Sequence, residues 1–170
     1  ATFRFLYLFV IMEIGTRRIV HHNVTAHPSA EWTLQQFREA LPGEQGYEYV
    51  IHDRDRIYSS ELDRAVHEMG VGVLRTPVRA PRANCFCERV ERTIRRECLD
   101  FIITLSENHL RSTLKEWISH YNHGRRHSRT VGALSSPNAN RHQLPNQCRV
   151  KAKPVLGGLH HEYAPQKLAA

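Results

Sequence analysis

Two carboxylates in this sequence stand where acid or metal chemistry could be done. Tyr47, Tyr49 and Ile51 alternate with Glu48, Val50 and His52 in the two-residue period of a strand, so Asp53 closes an extended segment. Open α/β sheets tend to place ligands and reacting groups at such carboxyl ends. Glu88 follows after 34 intervening residues, early in a helical stretch expected over Asn84 to Cys98. At 3.6 residues per turn, Val90, Ile94 and Cys98 share one face of that helix, while Glu88, Arg92, Arg95 and Arg96 lie roughly opposite. Carboxylates brought together from two elements can hold a hard, oxygen-preferring ion such as Mg²⁺. Guanidinium groups beside them can follow a phosphate backbone. Phosphodiester exchange ordinarily uses two metals about 3.5–4 Å apart, and bridging them takes a third acid.

Each residue also has an ordinary reading. Many strands end in Asp for turn formation alone. Glu88 stands four residues before Arg92, the spacing of a surface ion pair that contributes only about 0.3–0.5 kcal/mol. The residues alone leave both readings open.

The elements that must position these groups follow from periodicity and punctuation. Phe3 to Met12 and Arg18 to Thr25 are rich in β-favouring residues around a Gly15-Thr16-Arg17 turn and read as a hairpin. Ala30, Leu34, Phe37 and Leu41 mark a helix over Ser29 to Leu41, with Pro28 before it and Pro42-Gly43 after. A second helix carries Leu62, Val66 and Met69; Ser60 and Asp63 form its capping-box pattern and Gly70 its stop. Val71 to Leu74 is a short strand, and Pro77, Pro81 and Asn84 mark a loop. Leu110, Leu114, Trp117, Ile118 and Tyr121 define a last helix entered through Ser106. The order predicts an α/β layer with helices covering a sheet. From Asn122 on the chain is basic, polar and Pro-containing, with a small turn or strand expected at Val155 to Leu159.

Composition narrows the partners. With 24 Lys and Arg against 17 Asp and Glu, the formal charge is +7, which suits an anionic polymer as well as simple solubility. The longest apolar run, Phe5 to Met12, is far short of the roughly 20 residues of a membrane span, so no membrane segment is expected. Cys85, Cys87, Cys98 and Cys148 fit neither a disulfide framework nor a zinc-knuckle spacing and are read as reduced thiols. The 12 histidines gather on no helical face. The chain reads as cytoplasmic, and its first residue, Ala1, suggests that its natural beginning lies upstream.

Three ordered segments carry a family resemblance. Ile51-His52-Asp53-Arg54-Asp55-Arg56-Ile57-Tyr58, then Pro81-Arg82-Ala83-Asn84-Cys85-Phe86-Cys87-Glu88-Arg89 running into Arg92-Thr93-Ile94-Arg95-Arg96-Glu97, then Tyr121 to His127 with Ser136-Pro137, together resemble the DDE-type transposases and retroviral-type integrases. The last of these segments resembles one that bacterial members, the insertion-sequence transposases, carry. Asp55 stands where that family has Gly, which makes it a rival to Asp53, and Arg126 replaces a Pro. The family separates its last two acids by about 35 residues; Asp53 leaves 34 before Glu88 and Asp55 leaves 32. Spacing favours Asp53. Cys85 and Cys87 are unusual at their positions and read as tolerated small residues.

The resemblance implies a ribonuclease-H-like mixed sheet flanked by helices, an integrase catalytic core over residues 1–137, and a basic, loosely structured tail over residues 138–170. It implies that Asp53 and Glu88 are catalytic residues holding Mg²⁺ or Mn²⁺ and that Arg89, Arg92, Arg95 and Arg96 contact DNA. Transposon ends and target DNA are the implied partners, with self-association into a homo-oligomer. Phe5 to Arg18 looks like the family's second strand, with Glu13 at its non-catalytic acid, which puts the first strand and the first catalytic Asp before Ala1. Glu13, Glu31, Glu39 and Glu48 each have an ordinary role and are not expected to substitute. Two alternatives stay open: an inactive remnant that only binds DNA, and a related ribonuclease-H-like nuclease. The first prediction is that this 170-residue chain alone neither cleaves nor joins DNA; Mg²⁺-dependent strand transfer that disappears in Asp53→Ala would overturn it.

Overall fold

The computed structural model describes residues 5–41, 46–77, 85–124 and 148–167. Strands β1 (Tyr7–Met12) and β2 (Ile19–Thr25) form the expected antiparallel hairpin, Tyr7 opposite Thr25 and Ile11 opposite His21, with a register shift before Met12. Its turn closes through a hydrogen bond from Glu13 N to Arg18 O of 2.9 Å. The left-handed residue there is Arg17, φ 66°, rather than Gly15.

Strand β1 is packed from two sides and half-buried. Leu8, Val10 and Met12 pack on a cluster of Ile19, Val24, Val90, Ile94, Cys98, Leu114, Trp117 and Tyr121, whereas Phe9 and Ile11 pack on Phe37, Leu62, Val66 and Val71. The alternation is the strand period expressed as packing. Helices α1 (Ala30–Ala40) and α2 (Ser60–Glu68) supply the second cluster, and α3 (Cys85–Glu97) and α4 (Glu107–Ser119) supply the first. Helix pairs therefore cover both faces of the strands.

Helix starts follow side-chain chemistry. The hydroxyls of Ser29 and Ser106 accept from Trp32 N and His109 N, each at 3.1 Å, and cap α1 and α4. At α2 the cap is Ser59, which accepts from Leu62 N at 3.2 Å, not Ser60. The shift by one residue releases Asp63 from the predicted capping box for a different task. Gly70, at φ +83°, turns the chain after α2 in a conformation that a side chain would strain.

Strands β3 (Tyr49–His52) and β4 (Gly72–Arg75) pair in parallel, Tyr49 opposite Gly72 and His52 opposite Arg75. A single mixed sheet was the expectation. Among the described residues β1–β2 and β3–β4 are instead separate two-stranded sheets. A cavity of about 240 Å³ lies between β1 and β3, lined by Phe9 to Ile14 on one side and Tyr49 to Asp53 on the other, so their facing edges do not exchange hydrogen bonds.

After α4 the chain widens into a single π-helical turn over His120–Gly124. Tyr121 is buried there and stacks on Trp117 at 5.0 Å. Asn122 accepts from Ile19 N and donates to Ile19 O, both at 2.9 Å, and so satisfies both backbone groups at the entrance of β2. The Tyr121-Asn122 part of the third motif is thus a clasp between the last helix and the first hairpin. Its continuation from Arg125, the Pro81 to Asn84 loop, Pro42-Gly43 and residues 138–147 lie outside the described residues.

The tail departs from expectation. Strands β5 (Cys148–Val155) and β6 (His160–Lys167) pair antiparallel over their full length, joined through Leu156, Gly157 and Gly158 at φ 51°, 65° and 103°. Two adjacent glycines make that left-handed corner possible. The hairpin docks by Val155, which is buried, and by Leu156, whose N–H donates to Glu116 Oε1 at 2.5 Å. The loose-tail expectation failed because alternation in Arg149 to Val155 is between charge and small residues, a weak strand signal. All four cysteines are free. Asn122→Ala would strand two backbone groups of Ile19, and a loss of about 1–3 kcal/mol is expected in urea unfolding; an unchanged midpoint would show that the clasp is idle.

Candidate functional site

The carboxyl ends of β3 and β4 are held by one buried network. Thr76 N donates to His52 O at 2.9 Å and Arg54 Nε donates to Thr76 O at 3.1 Å, extending the parallel pair past its last strand residues. His52 is buried, with Nδ1 2.5 Å from Asp53 O and Nε2 2.9 Å from Asp63 Oδ1. The other oxygen of Asp63 receives Arg75 Nε at 2.6 Å as well as the terminal nitrogen of the same guanidinium. Tyr58 stacks on the His52 ring at 4.3 Å. Helix α2 therefore grips both strand ends through Asp63, and the Asp53 carbonyl is held by the His52 ring.

Asp53 follows β3 directly and is exposed. Its Oδ1 accepts from Asp55 N at 3.0 Å, and Asp55 Oδ1 accepts from Ile57 N at 3.0 Å. The turn-forming role is real for both residues. Each keeps a second oxygen out of these bonds.

Glu88 is exposed in the first turn of α3, where the helix dipole favours a carboxylate. Among the described residues Glu88 and Arg92 form no ion pair, so the ordinary reading of that spacing is not realised. Arg17 lies over the Phe86 ring, 3.3 Å from its centroid, and ties the β1–β2 turn to the start of α3. Arg89, Arg92, Arg95 and Arg96 are all exposed; Arg95 leans toward Asp100 at 3.6 Å and Arg96 toward Glu97 at 3.7 Å. Surface pairs of this length contribute little and leave the guanidinium groups exchangeable.

Asp53 and Glu88 share a neighbourhood, and Glu91 reports it. Partial burial first, then Asp53, then Glu88, push the Glu91 carboxyl above the ordinary carboxylate range. The Cys87 thiol is raised by burial and then by Glu91, Asp53, Cys85 and Glu88. Burial also raises the Tyr58 phenol, helped by Asp53, Cys87, Asp55 and Glu91. Asp53, Tyr58, Phe86, Cys87 and Glu91 line one end of the cavity between β1 and β3. Glu91 was not singled out in the sequence, although three residues from Glu88 it had to share that helix face. The network of His52, Asp63 and Arg75 had no sequence signal, because its members come from three elements.

The donor chemistry of Asp53 and Glu88, all carboxylate oxygen, fits Mg²⁺ or Mn²⁺. Among the described residues no group of three or more His, Cys, Asp or Glu is placed to hold a metal ion. Upstream acids are engaged locally: Glu13 accepts from the Thr16 hydroxyl, Glu39 from Gln35 Nε2 at 3.1 Å, and Glu31 is held below the usual range by its own backbone amide and the Ser29 hydroxyl. No helix among the described residues is long and apolar enough to cross a membrane.

Residues 69–132 match the model of the integrase core domain family. The match contains Glu88 and the arginines of α3 and stops short of Asp53. Among solved structures, a chain of the simian T-cell lymphotropic virus intasome in complex with PP2A regulatory subunit B56 gamma is similar at a TM-score of 0.57 and 14% identity. The likeness covers 94% of this chain and 61% of that one, so this chain spans about three fifths of that chain's length. At such identity the likeness is one of fold. No curated protein sequence matches. The family match and the shared fold together support an integrase or transposase catalytic core.

Glu91 gives a pH prediction. A carboxyl whose folded pKa is raised binds its proton more tightly folded than unfolded, so it costs stability as pH rises through the window above about 4.5, and the cost persists at neutrality. Glu91→Gln is expected to raise the melting temperature at pH 7 and to change it little at pH 3.5. An equal gain at both would remove the electrostatic account.

Proposed function

We propose that this chain is the ribonuclease-H-like catalytic core of a DNA transposase or integrase, whose parent cleaves and joins DNA strands by metal-assisted phosphodiester chemistry. The observation that carries the reading is the convergence of Asp53, at the end of β3, with Glu88, in the first turn of an arginine-faced helix, upon the same neighbours. Asp53 and Glu88 would hold Mg²⁺ or Mn²⁺. When bound, the metal supplies activation of an attacking oxygen and stabilisation of a leaving one.

The protein's own groups do the positioning. Asp53 offers the oxygen that its turn does not use, on a backbone anchored by His52. Arg89, Arg92, Arg95 and Arg96 hold phosphates along the outer face of α3, which gives salt-sensitive affinity and no base specificity. The cavity between the unpaired edges of β1 and β3 supports a mixed sheet with a further strand between them, since a strand there would pair on both sides. In this reading the protein is cytoplasmic, acts on transposon ends and target DNA, and works as a homo-oligomer.

The test follows thermal stability under added Mn²⁺. Ligand binding to the folded state alone raises the melting temperature, by about 2.7 kcal/mol of stabilisation at a hundred times Kd. The rise is expected in the wild type and not in Asp53→Asn or Glu88→Gln. An identical rise in all three would sink the metal assignment.

A further inference from the structure

The β5–β6 hairpin is longer than its docking requires. Among the described residues only its closed end packs, through Val155 and Leu156, and from Arg149 to Pro154 every residue is exposed. Six residues at about 3.3 Å each carry the ribbon roughly 20 Å beyond Val155. A two-stranded ribbon with both faces in solvent contributes little stability of its own. Its composition is lopsided: Arg149, Lys151, Lys153 and Lys167 against a single carboxylate, Glu162.

Strand parity fixes where the charge points. Val155 pairs with His160, Lys153 with Glu162, Lys151 with Ala164 and Arg149 with Gln166, so these residues share one face. At the closed end that face meets the body: Val155 is buried, His160 Nε2 lies 2.7 Å from Glu97 O, and Glu162 Oε1 lies 3.1 Å from His120 Nδ1. Farther out the same face carries Arg149, Lys151 and Lys153 at alternate positions. Lys167, opposite Cys148, is on the other face. Glu97 is the last residue of α3, so the ribbon is mounted on the end of the helix whose outer face bears Arg89, Arg92, Arg95 and Arg96.

We infer that the β5–β6 hairpin is a second nucleic-acid contact, its Arg149, Lys151 and Lys153 face gripping the phosphate backbone of duplex DNA that also lies along α3. The inference rests on the DNA-binding reading above and adds a site to it. A two-stranded ribbon fits the roughly 12 Å width of a major groove, and cations at every second residue present a row of charge to the phosphates beside it. Lys153 reaches Glu162 only at 4.0 Å and stays largely exposed, so this pair yields to a phosphate at small cost.

The test is fluorescence anisotropy of the whole chain with a labelled 20-base-pair duplex across a salt series. Each neutralised phosphate contributes about 0.9 to the slope of log affinity against log salt. Arg149→Thr/Lys151→Thr/Lys153→Thr is expected to lower that slope by about 2–3 and to weaken binding at least roughly tenfold near 0.1 M salt. Lys167→Thr should leave both unchanged, and Arg92→Ala/Arg95→Ala should lower the slope by about 2 independently. Circular dichroism confirms folding, and Lys151→Glu serves as a second hairpin variant. Wild-type binding that both hairpin variants match, with the α3 variant impaired, overturns the hairpin contact and leaves the α3 reading standing. A wild type that does not bind the duplex overturns both. Loss of binding to phosphatidylserine vesicles with duplex binding intact assigns the face to a membrane surface and overturns the inference.

Discussion

Asp63 accepts from the His52 ring with one oxygen and from Arg75 with the other, at the point where β3 and β4 end. The partners come from α2, β3 and β4, and the His52 ring is almost wholly buried. Removing the carboxylate would leave a guanidinium and a buried imidazole without their acceptor, and unpaired buried groups cost more than the bond itself contributes. The direction in which Asp53 leaves the sheet depends on this joint, because His52 also holds the Asp53 carbonyl. The candidate site is thus supported from the side of α2, which carries none of its carboxylates.

A second constraint acts from the other side. Strand β1 has apolar side chains on both faces, so it is stable only between two helix layers. Val90, Ile94 and Cys98 bind α3 to one of those layers, and Arg17 over Phe86 fixes its first turn. The helix then has one orientation available, with Glu88, Glu91 and the arginines outward. Apolar packing thereby sets the position of charged groups that contribute nothing to the packing.

The crowding of carboxylates is the feature that costs stability and points to function. Asp53 and Glu88 act together on Glu91 and Cys87, and among the described residues no lysine or arginine is an influence on either. Proteins ordinarily disperse like charges, and carboxylates gathered near a strand end and a helix start suit an added cation. In the proposed reading the arginines of α3 would face phosphate instead of relieving this repulsion, which would separate metal-holding and DNA-holding parts of one helix.

Local elements were legible in the chain: eight of its periodic or turn-bounded segments became β1, β2, α1, β3, α2, β4, α3 and α4 near the expected bounds. Helical and strand periods record which faces are apolar, and that information is local. Asp53 and Glu88 were legible as strand end and helix start for the same reason. Glu91 was half legible, since its helix face could be drawn, but its closeness to Asp53 could not. The separation of β1 from β3, the joint at Asp63, the clasp of Asn122 on Ile19 and the docked β5–β6 ribbon were decided only by tertiary structure. The clasp and the ribbon join residues far apart in the chain, Asn122 being 103 positions on from Ile19 and His160 63 positions on from Glu97. Such contacts depend on how layers stack, and no periodicity within a segment encodes the neighbour that a distant segment brings to it.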